Sequence, residues 1–263
     1  MLGSIIFRLT AENSADLKFI NGRMMHAAFF GILNSISPEL GRLVHEKMNL
    51  KPFTVSFLNP EKNLPNSAEK WQVRRGDKFS WRVTGLNEEI LQTILSVNVG
   101  RQIQVGNLFL TVKKISAEKI ISVSDFIAEI KNSEPFKKIE FKFLTPVSFR
   151  IDNFDAPYPR AELIFSSLAD KWTQAQMPAA ADKKILRELA KEIHLKEWEG
   201  RSKKFFLAKD RGTLAFWGKF LYDLENFSDD VRKVFLLLAN FGEFSGVGRL
   251  TGQGFGQTQI KIS

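Results

Sequence analysis

The sequence predicts an α+β protein built from two successive β-α-β-β-α-β halves, closed by a glycine-rich loop and a final strand. Three observations lead there. Short runs with period-two alternation interleave with runs of helical spacing, so strands and helices alternate along the chain. The order of these runs is the same before and after a polar stretch at Lys131–Pro135. Six of the 17 glycines fall between Gly242 and Gly256, directly before the last alternating segment.

In the first half, Ser4–Thr10 places Ile5, Phe7 and Leu9 on one face and reads as a strand. Gly22–Leu33 reads as a helix with Met25, Phe29, Ile32 and Leu33 on its core stripe. Ser37 and Pro38 then restart a helix, serine at the cap and proline in the first turn. Leu40, Leu43 and Val44 are expected on its inner face. Pro52–Leu58 and Lys78–Val83 read as strands. Asn87–Val97 fits a helix with Ile90, Leu91, Ile94 and Leu95 inside, and Val105–Ile115 supplies one or two closing strands.

Beyond the polar stretch the order repeats. Ile139–Phe149 is a strand, Arg160–Trp172 a helix, and Asp182–Ile193 a second helical segment. Lys203–Leu207 and Thr213–Leu221 form a hairpin around Lys209-Asp210-Arg211-Gly212. Asp229–Phe241 is a helix, and Gln257–Ile262 closes the set. This is the ferredoxin-like, or RRM-like, arrangement. Two tandem domains follow, 1–132 and 136–263, although no close internal sequence repeat is visible.

Composition narrows the function. The chain has 263 residues, 38 Lys and Arg against 29 Asp and Glu, a formal charge of +9 and a pI near 9.6. That balance suits an extended polyanion such as RNA. No cysteine is present, which excludes disulfides, thiolate metal sites and cysteine nucleophiles. Met1–Thr10 lacks the charged n-region and apolar core of a secretory signal, and no run approaches the length of a membrane span. A cytoplasmic protein that does not engage a membrane is expected. No Asp/Glu/His constellation suggests a two-metal nuclease, so no metal and no cofactor is expected.

The loop reads Phe241-Gly242-Glu243-Phe244-Ser245-Gly246-Val247-Gly248-Arg249-Leu250-Thr251-Gly252-Gln253-Gly254-Phe255-Gly256. A dinucleotide fingerprint or a phosphate-binding P-loop follows a strand and opens a helix. Here the loop follows an apolar helix and opens a strand, which argues against a nucleotide cofactor. Glycines clustered in this way imply a loop shaped for a ligand.

This arrangement resembles the glycine-rich loop of the RAMP superfamily, CRISPR-associated RNA-binding proteins that carry it before their final strand. Gly-Val-Gly-Arg-Leu-Thr-Gly-Gln-Gly-Phe-Gly looks most like the Cas-six endoribonucleases, which cut CRISPR precursor transcripts within their repeats. The resemblance implies the same domain duplication. It also implies a metal-independent cleavage in which a ribose 2′-hydroxyl attacks the adjacent phosphorus. The products would be a 2′,3′-cyclic phosphate and a 5′-hydroxyl.

Only three histidines exist, so the choice of general acid or base is narrow. His45 lies near the C-terminus of the second short helix, where partial negative charge favours imidazolium. Lys51 follows six residues later and opens Lys51-Pro52-Phe53-Thr54-Val55-Ser56. The spacing His-x5-Lys is similar to the catalytic pair of some Cas-six enzymes. His45 can act as base or acid, and Lys51 as an electrostatic partner for charge on the nonbridging oxygens. Some members of that family place a tyrosine on the first helix. Here the region reads Met24-Met25-His26-Ala27-Ala28-Phe29-Phe30, and Phe30 cannot donate a proton. His26, one turn earlier, is either the substitute or a histidine packed against the sheet. His194 is read as structural or RNA-proximal.

The strongest basic cluster is the hairpin: Arg201, Lys203, Lys204, Lys209, Arg211 and Lys219, interleaved with Phe205, Phe206, Phe216 and Trp217. Positive side chains contact phosphates and exposed aromatics stack on unpaired bases, but alternation turns only some of these aromatics outward, and core packing is the expected role of most. In the loop, Gly246, Gly248 and Gly252 allow close approach, and Arg249 is the expected phosphate ligand. The partner expected is CRISPR repeat RNA, bound by a monomer or homodimer, with a CRISPR effector complex as a further partner. The competing reading is a noncatalytic RAMP subunit that binds guide RNA in such a complex. A general RNA-binding protein is disfavoured, because no RNP1-like segment occurs.

Overall fold

A computed structural model describes residues 1–47, 51–61, 70–179, 182–208 and 211–263. The chain divides into two compact units: Met1–Ile120 with Gly252–Gly254, and Ile121–Thr251 with Phe255–Ser263.

In the first unit the order is β1 (Leu2–Ala11), β2 (Ala15–Lys18), α1 (Gly22–Ile36), α2 (Pro38–Lys47), β3 (Phe53–Val55), β4 (Asn59–Pro60), β5 (Lys70–Val73), β6 (Lys78–Gly85), α3 (Glu88–Leu95), β7 (Gln102–Val105) and β8 (Leu108–Ile121). The main sheet runs β3-β6-β1-β8-β7, with β4 also on β6. Antiparallel pairing sets Ile5 opposite Val83 and Phe7 opposite Trp81. The alternating residues therefore share one face, where Phe7, Phe29, Phe53 and Trp81 are buried. Burying each such side chain contributes about 1.5–3 kcal/mol. Helix α3 starts where expected because the Asn87 side chain accepts a hydrogen bond from the Ile90 amide, with Glu88 and Glu89 at the positive end of the helix dipole.

Three local expectations change. Leu43 and Leu95 are exposed, since each lies at the margin of its helix's apolar stripe. Strand β8 continues to Ile121, past the expected end at Ile115. A separate two-stranded ribbon pairs β2 with β5, and four-residue strands are too short for alternation to reveal.

The second unit comprises α4 (Val123–Lys131), β9 (Lys138–Val147), β10 (Phe149–Ile151), β11 (Phe154–Ala156), α5 (Ala161–Gln174), α6 (Lys183–Leu189), β12 (His194–Ala208), β13 (Arg211–Asp223), α7 (Asp229–Ser245) and β14 (Thr258–Ile262). Helix α4 precedes the polar stretch in sequence, yet it belongs to this unit. Its Phe126 meets Phe244 edge-on, with ring centroids 6.0 Å apart. The sheet runs β12-β13-β9-β14, over a core that includes Phe141, Phe165, Phe220 and Phe235.

The two sheets share one topology. Taking β1, β3, β6 and β8 as the four principal strands of the first unit, the order is second-third-first-fourth. Strands β12, β13, β9 and β14 reproduce it in the second. The protein is thus two tandem ferredoxin-like folds with the glycine-rich loop before the last strand.

Candidate active site and nucleic-acid interface

Two histidines and a lysine meet in the first unit. Helix α1 begins with Gly22, whose place against the Gln253 backbone leaves no room for a side chain: a Cβ there would lie 1.7 Å from the Gln253 carbonyl oxygen. One turn later, His26 Nδ1 lies 2.7 Å from the Gly252 carbonyl oxygen. A carbonyl only accepts, so Nδ1 carries the proton and donates it. In the neutral ring Nε2 then holds a free lone pair. Burial lowers the His26 pKa below the ordinary histidine value. The Gly252 hydrogen bond opposes that shift, and the positive charges of Lys51 and His45 add to it. His26 is therefore a neutral imidazole near pH 7.

Phe30 sits between the two histidines. Its ring centroid is 4.9 Å from that of His26 and 5.6 Å from that of His45, the latter edge-on. Phe53 closes the other side of His26 at 5.5 Å. These rings pack an apolar wall against which the imidazoles are oriented. His45 itself is exposed, in the last turn of α2.

Lys51 reaches back to that same helix end. Its ammonium donates to the Val44 carbonyl oxygen at 2.7 Å and to that of His45 at 3.1 Å. Lys51 thereby fixes the turn that presents His45. Partial burial lowers its pKa from the usual lysine value. Gly252 completes the group: a Cβ on it would lie 3.4 Å from His26 Nδ1 and 4.0 Å from the Lys51 Cβ. His26, His45, Lys51 and Gly252 thus come together, whereas His194 lies exposed at the start of β12 in the other unit.

In the second unit the loop is held mainly by its own fold. The amide of Val247 donates to Gly256, that of Arg249 to Ser148, that of Gly246 to Gly242 and that of Gly248 to the Ser167 hydroxyl. The loop glycines are needed for these approaches. Gly248 has φ +75°, and a Cβ on it would lie 2.6 Å from the Ser148 carbonyl oxygen. The amides of Gly246, Val247, Gly248 and Arg249 are thus all taken up by hydrogen bonds within the protein. Arg249 pairs with Asp155 at 3.3 Å and stays partly exposed, which leaves its guanidinium accessible.

The basic hairpin divides by alternation. Register places Arg201 opposite Trp217, Glu199 opposite Lys219 and Lys203 opposite Ala215. Arg201, Lys203 and Lys219 therefore share one face, and Lys204 lies on the other. On the first face the Arg201 guanidinium lies 4.7 Å over the Trp217 ring. Trp217 packs on Phe205, and Phe205 meets Phe255 beside the glycine loop. A cation-over-indole pair is a ready platform for a base and its phosphate. On the other face Lys204 lies over the exposed Phe206. Phe216 is core. Lys209 and the Arg211 side chain lie outside the described residues. Trp198, exposed and stacked on Phe220, is a further aromatic, and its exposure follows from strand pairing that the sequence alone does not reveal.

No helix among the described residues is long and apolar enough to cross a membrane. Among the same residues no group of three His, Asp or Glu gathers in a way that would hold a metal ion.

Two family models match the chain: the CRISPR Cas6 N-terminal domain over residues 1–125 and the CRISPR-associated endoribonuclease Cas6 over residues 141–258. A Cas6 of Mycobacterium tuberculosis is 23% identical over 194 residues, 72% of this chain and 61% of its own length, so the chain spans less than two thirds of that relative. A Cas6 of Streptococcus thermophilus is 22% identical over 79% of this chain and 84% of its own length. Among solved structures, a Cas6 (TTHB231) product complex superposes with a TM-score of 0.77 at 25% identity. That match covers 99% of this chain and 100% of the other. A Cas6 (TTHA0078) product complex gives 0.74 at 21% identity, with 99% of each chain covered.

Proposed function

The chain belongs to the Cas6 family of CRISPR-associated endoribonucleases, and from that premise we propose that it cuts CRISPR precursor RNA within the repeats, without a metal. The nucleophile is the ribose 2′-hydroxyl at the cleavage position. Its oxygen bonds to the adjacent phosphorus as the bond from phosphorus to the next nucleotide's 5′-oxygen breaks. A 2′,3′-cyclic phosphate and a 5′-hydroxyl result.

The observation that carries this reading is the hydrogen bond from His26 Nδ1 to Gly252. It holds the tautomer in which Nε2 can take a proton, on a ring whose burial keeps it neutral. We assign His26 as the general base for the 2′-hydroxyl. His45, at the negative end of α2, is the acid that protonates the 5′-oxygen. Each role typically contributes about 10²–10⁴-fold. Lys51 fixes the helix end that presents His45 and adds positive charge near the scissile phosphate. Arg201, Lys203, Lys219 and Arg249 hold the RNA backbone, with Trp217 as a stacking surface.

Purified protein in EDTA should cut a cognate repeat RNA once, and a single 2′-deoxy substitution at the cleavage position should abolish the cut. Cleavage that survives the deoxy substitution excludes the 2′-hydroxyl as nucleophile. Tight RNA binding with no cleavage in any condition instead identifies a noncatalytic RNA-binding subunit.

A further inference from the structure

One buried charge in the second unit has no part in the chemistry above. Lys171, on α5, is 6% exposed. Its ammonium donates to the carbonyl oxygens of Ser245 at 3.1 Å and Gly246 at 2.8 Å, and to the Thr251 hydroxyl at 3.3 Å. The three acceptors match the three N–H bonds of a lysine ammonium.

Their positions in the chain give the contact its meaning. Ser245 and Gly246 are the end and cap of α7, where carbonyls lack intrahelical donors and the dipole favours a cation. Thr251 is the far end of the loop that follows. Lys171 therefore ties both ends of a short segment, Gly246–Thr251, to one point. Within that segment Leu250 has φ +62°, a conformation that a leucine rarely adopts and that persists only where the surroundings impose it. Burial drives the Lys171 pKa down to about 7, with the neighbouring Asp170 opposing that shift. A buried charge is retained only where its partners compensate for lost water, and here the three acceptors are the end and cap of α7 and the far end of the loop.

The residue after Thr251 is Gly252, whose carbonyl accepts the hydrogen bond from His26 Nδ1–H. We propose that Lys171 is a positioning residue for the cleavage reaction: by holding both ends of the Gly246–Thr251 segment, it sets the Gly252 carbonyl that fixes the His26 tautomer. The proposal rests on His26 as the base, but its first readout does not.

The test is the protonation pattern of His26 in ¹⁵N-labelled protein, read by long-range ¹H–¹⁵N correlation and assigned by its loss in His26→Ala. The unaltered protein at neutral pH should show the Nδ1–H form. Lys171→Met should shift His26 toward the Nε2–H form that predominates in a free imidazole. It should also lower the single-turnover rate roughly 10-fold or more at saturating RNA, because a misplaced catalytic group loses its near-attack geometry. Thr251→Val, which removes one of the three acceptors and keeps the side-chain shape, should move the tautomer partway, and Thr251→Ser should restore it. If Lys171→Met does not fold, the Thr251 pair decides the matter. An unchanged Nδ1–H form in folded Lys171→Met, or in Thr251→Val where the former is unfolded, overturns the proposal. A tautomer shift alongside undiminished cleavage by His26→Ala would uphold the control of the His26 ring by Lys171 and refute the assignment of His26 as base.

Discussion

At the scale of single residues, the site rests on two imidazoles in different surroundings. His26 is partly buried, its Nδ1 fixed by Gly252, whereas His45 is exposed at a helix end. His26→Ala and His45→Ala should each slow single-turnover cleavage roughly 10²-fold or more with nearly unchanged RNA affinity, because each removes proton transfer and not binding. Lys51→Ala should lower the rate less, by loosening the turn that carries His45. The pH dependence follows from the direction of the His26 shift. A lowered pKa means the ring gives up its proton at a pH below the ordinary 6.5, so the base is already free at neutrality. The acid limb of the rate profile should therefore lie below pH 6.5. The same shift acts on stability. Between the lowered folded value and the unfolded one, the unfolded chain binds more protons, so stability should rise with pH across that window. An acid limb above 6.5 in single-turnover profiles would remove His26 from the role of base.

At the scale of elements, glycine placement and strand alternation make separable predictions. Glycine to alanine inside a helix ordinarily stabilises by about 0.5–1 kcal/mol. At Gly22 the added methyl would collide with the Gln253 carbonyl, so Gly22→Ala should instead displace the Gln253 strap and reduce cleavage. A thermal melt and a cleavage assay on this one variant test both effects. Gly248→Val should act on the loop's own structure, because its Cβ meets Ser148. The expected result is a lower melting temperature as well as weaker binding. On the hairpin, Arg201→Ala and Lys203→Ala alter the face that carries Trp217, and Lys204→Ala alters the other. If RNA lies on the Trp217 face, the first two should weaken binding and the third should change it little. The reverse pattern in a filter-binding titration would move the RNA to the face of Phe206.

At the scale of the whole molecule, the formal charge of +9 makes RNA binding an exchange of counterions for lysine and arginine. Log affinity should fall linearly with log salt, and each lost phosphate contact should reduce that slope by about 0.7–0.9. Arg249→Ala and Arg201→Ala should each show this reduction, while His45→Ala should leave the slope intact. A slope unaffected by either arginine would place the RNA backbone elsewhere on the protein.

Periodicity and order along the chain were enough to read both halves as β-α-β-β-α-β, since strand and helix periods are local properties. The glycine-rich loop was legible for the same reason: it lies within one short stretch. Helix α4 was not, because Lys131–Pro135 looks like a boundary and only the packing of Phe126 on Phe244 assigns the helix to the second unit. The sequence left His26 open between packing and chemistry. Tertiary structure brings the Gly252 carbonyl, 226 positions away, to its Nδ1, and a contact at that separation leaves no periodic trace. Lys171 was silent in the sequence, since a lysine on a helix is ordinarily solvated, and only its burial against Ser245, Gly246 and Thr251 distinguishes it. The chain's local chemistry thus determined its elements, charge and loop, while long-range packing decided which imidazole meets the Gly252 carbonyl and in which tautomer.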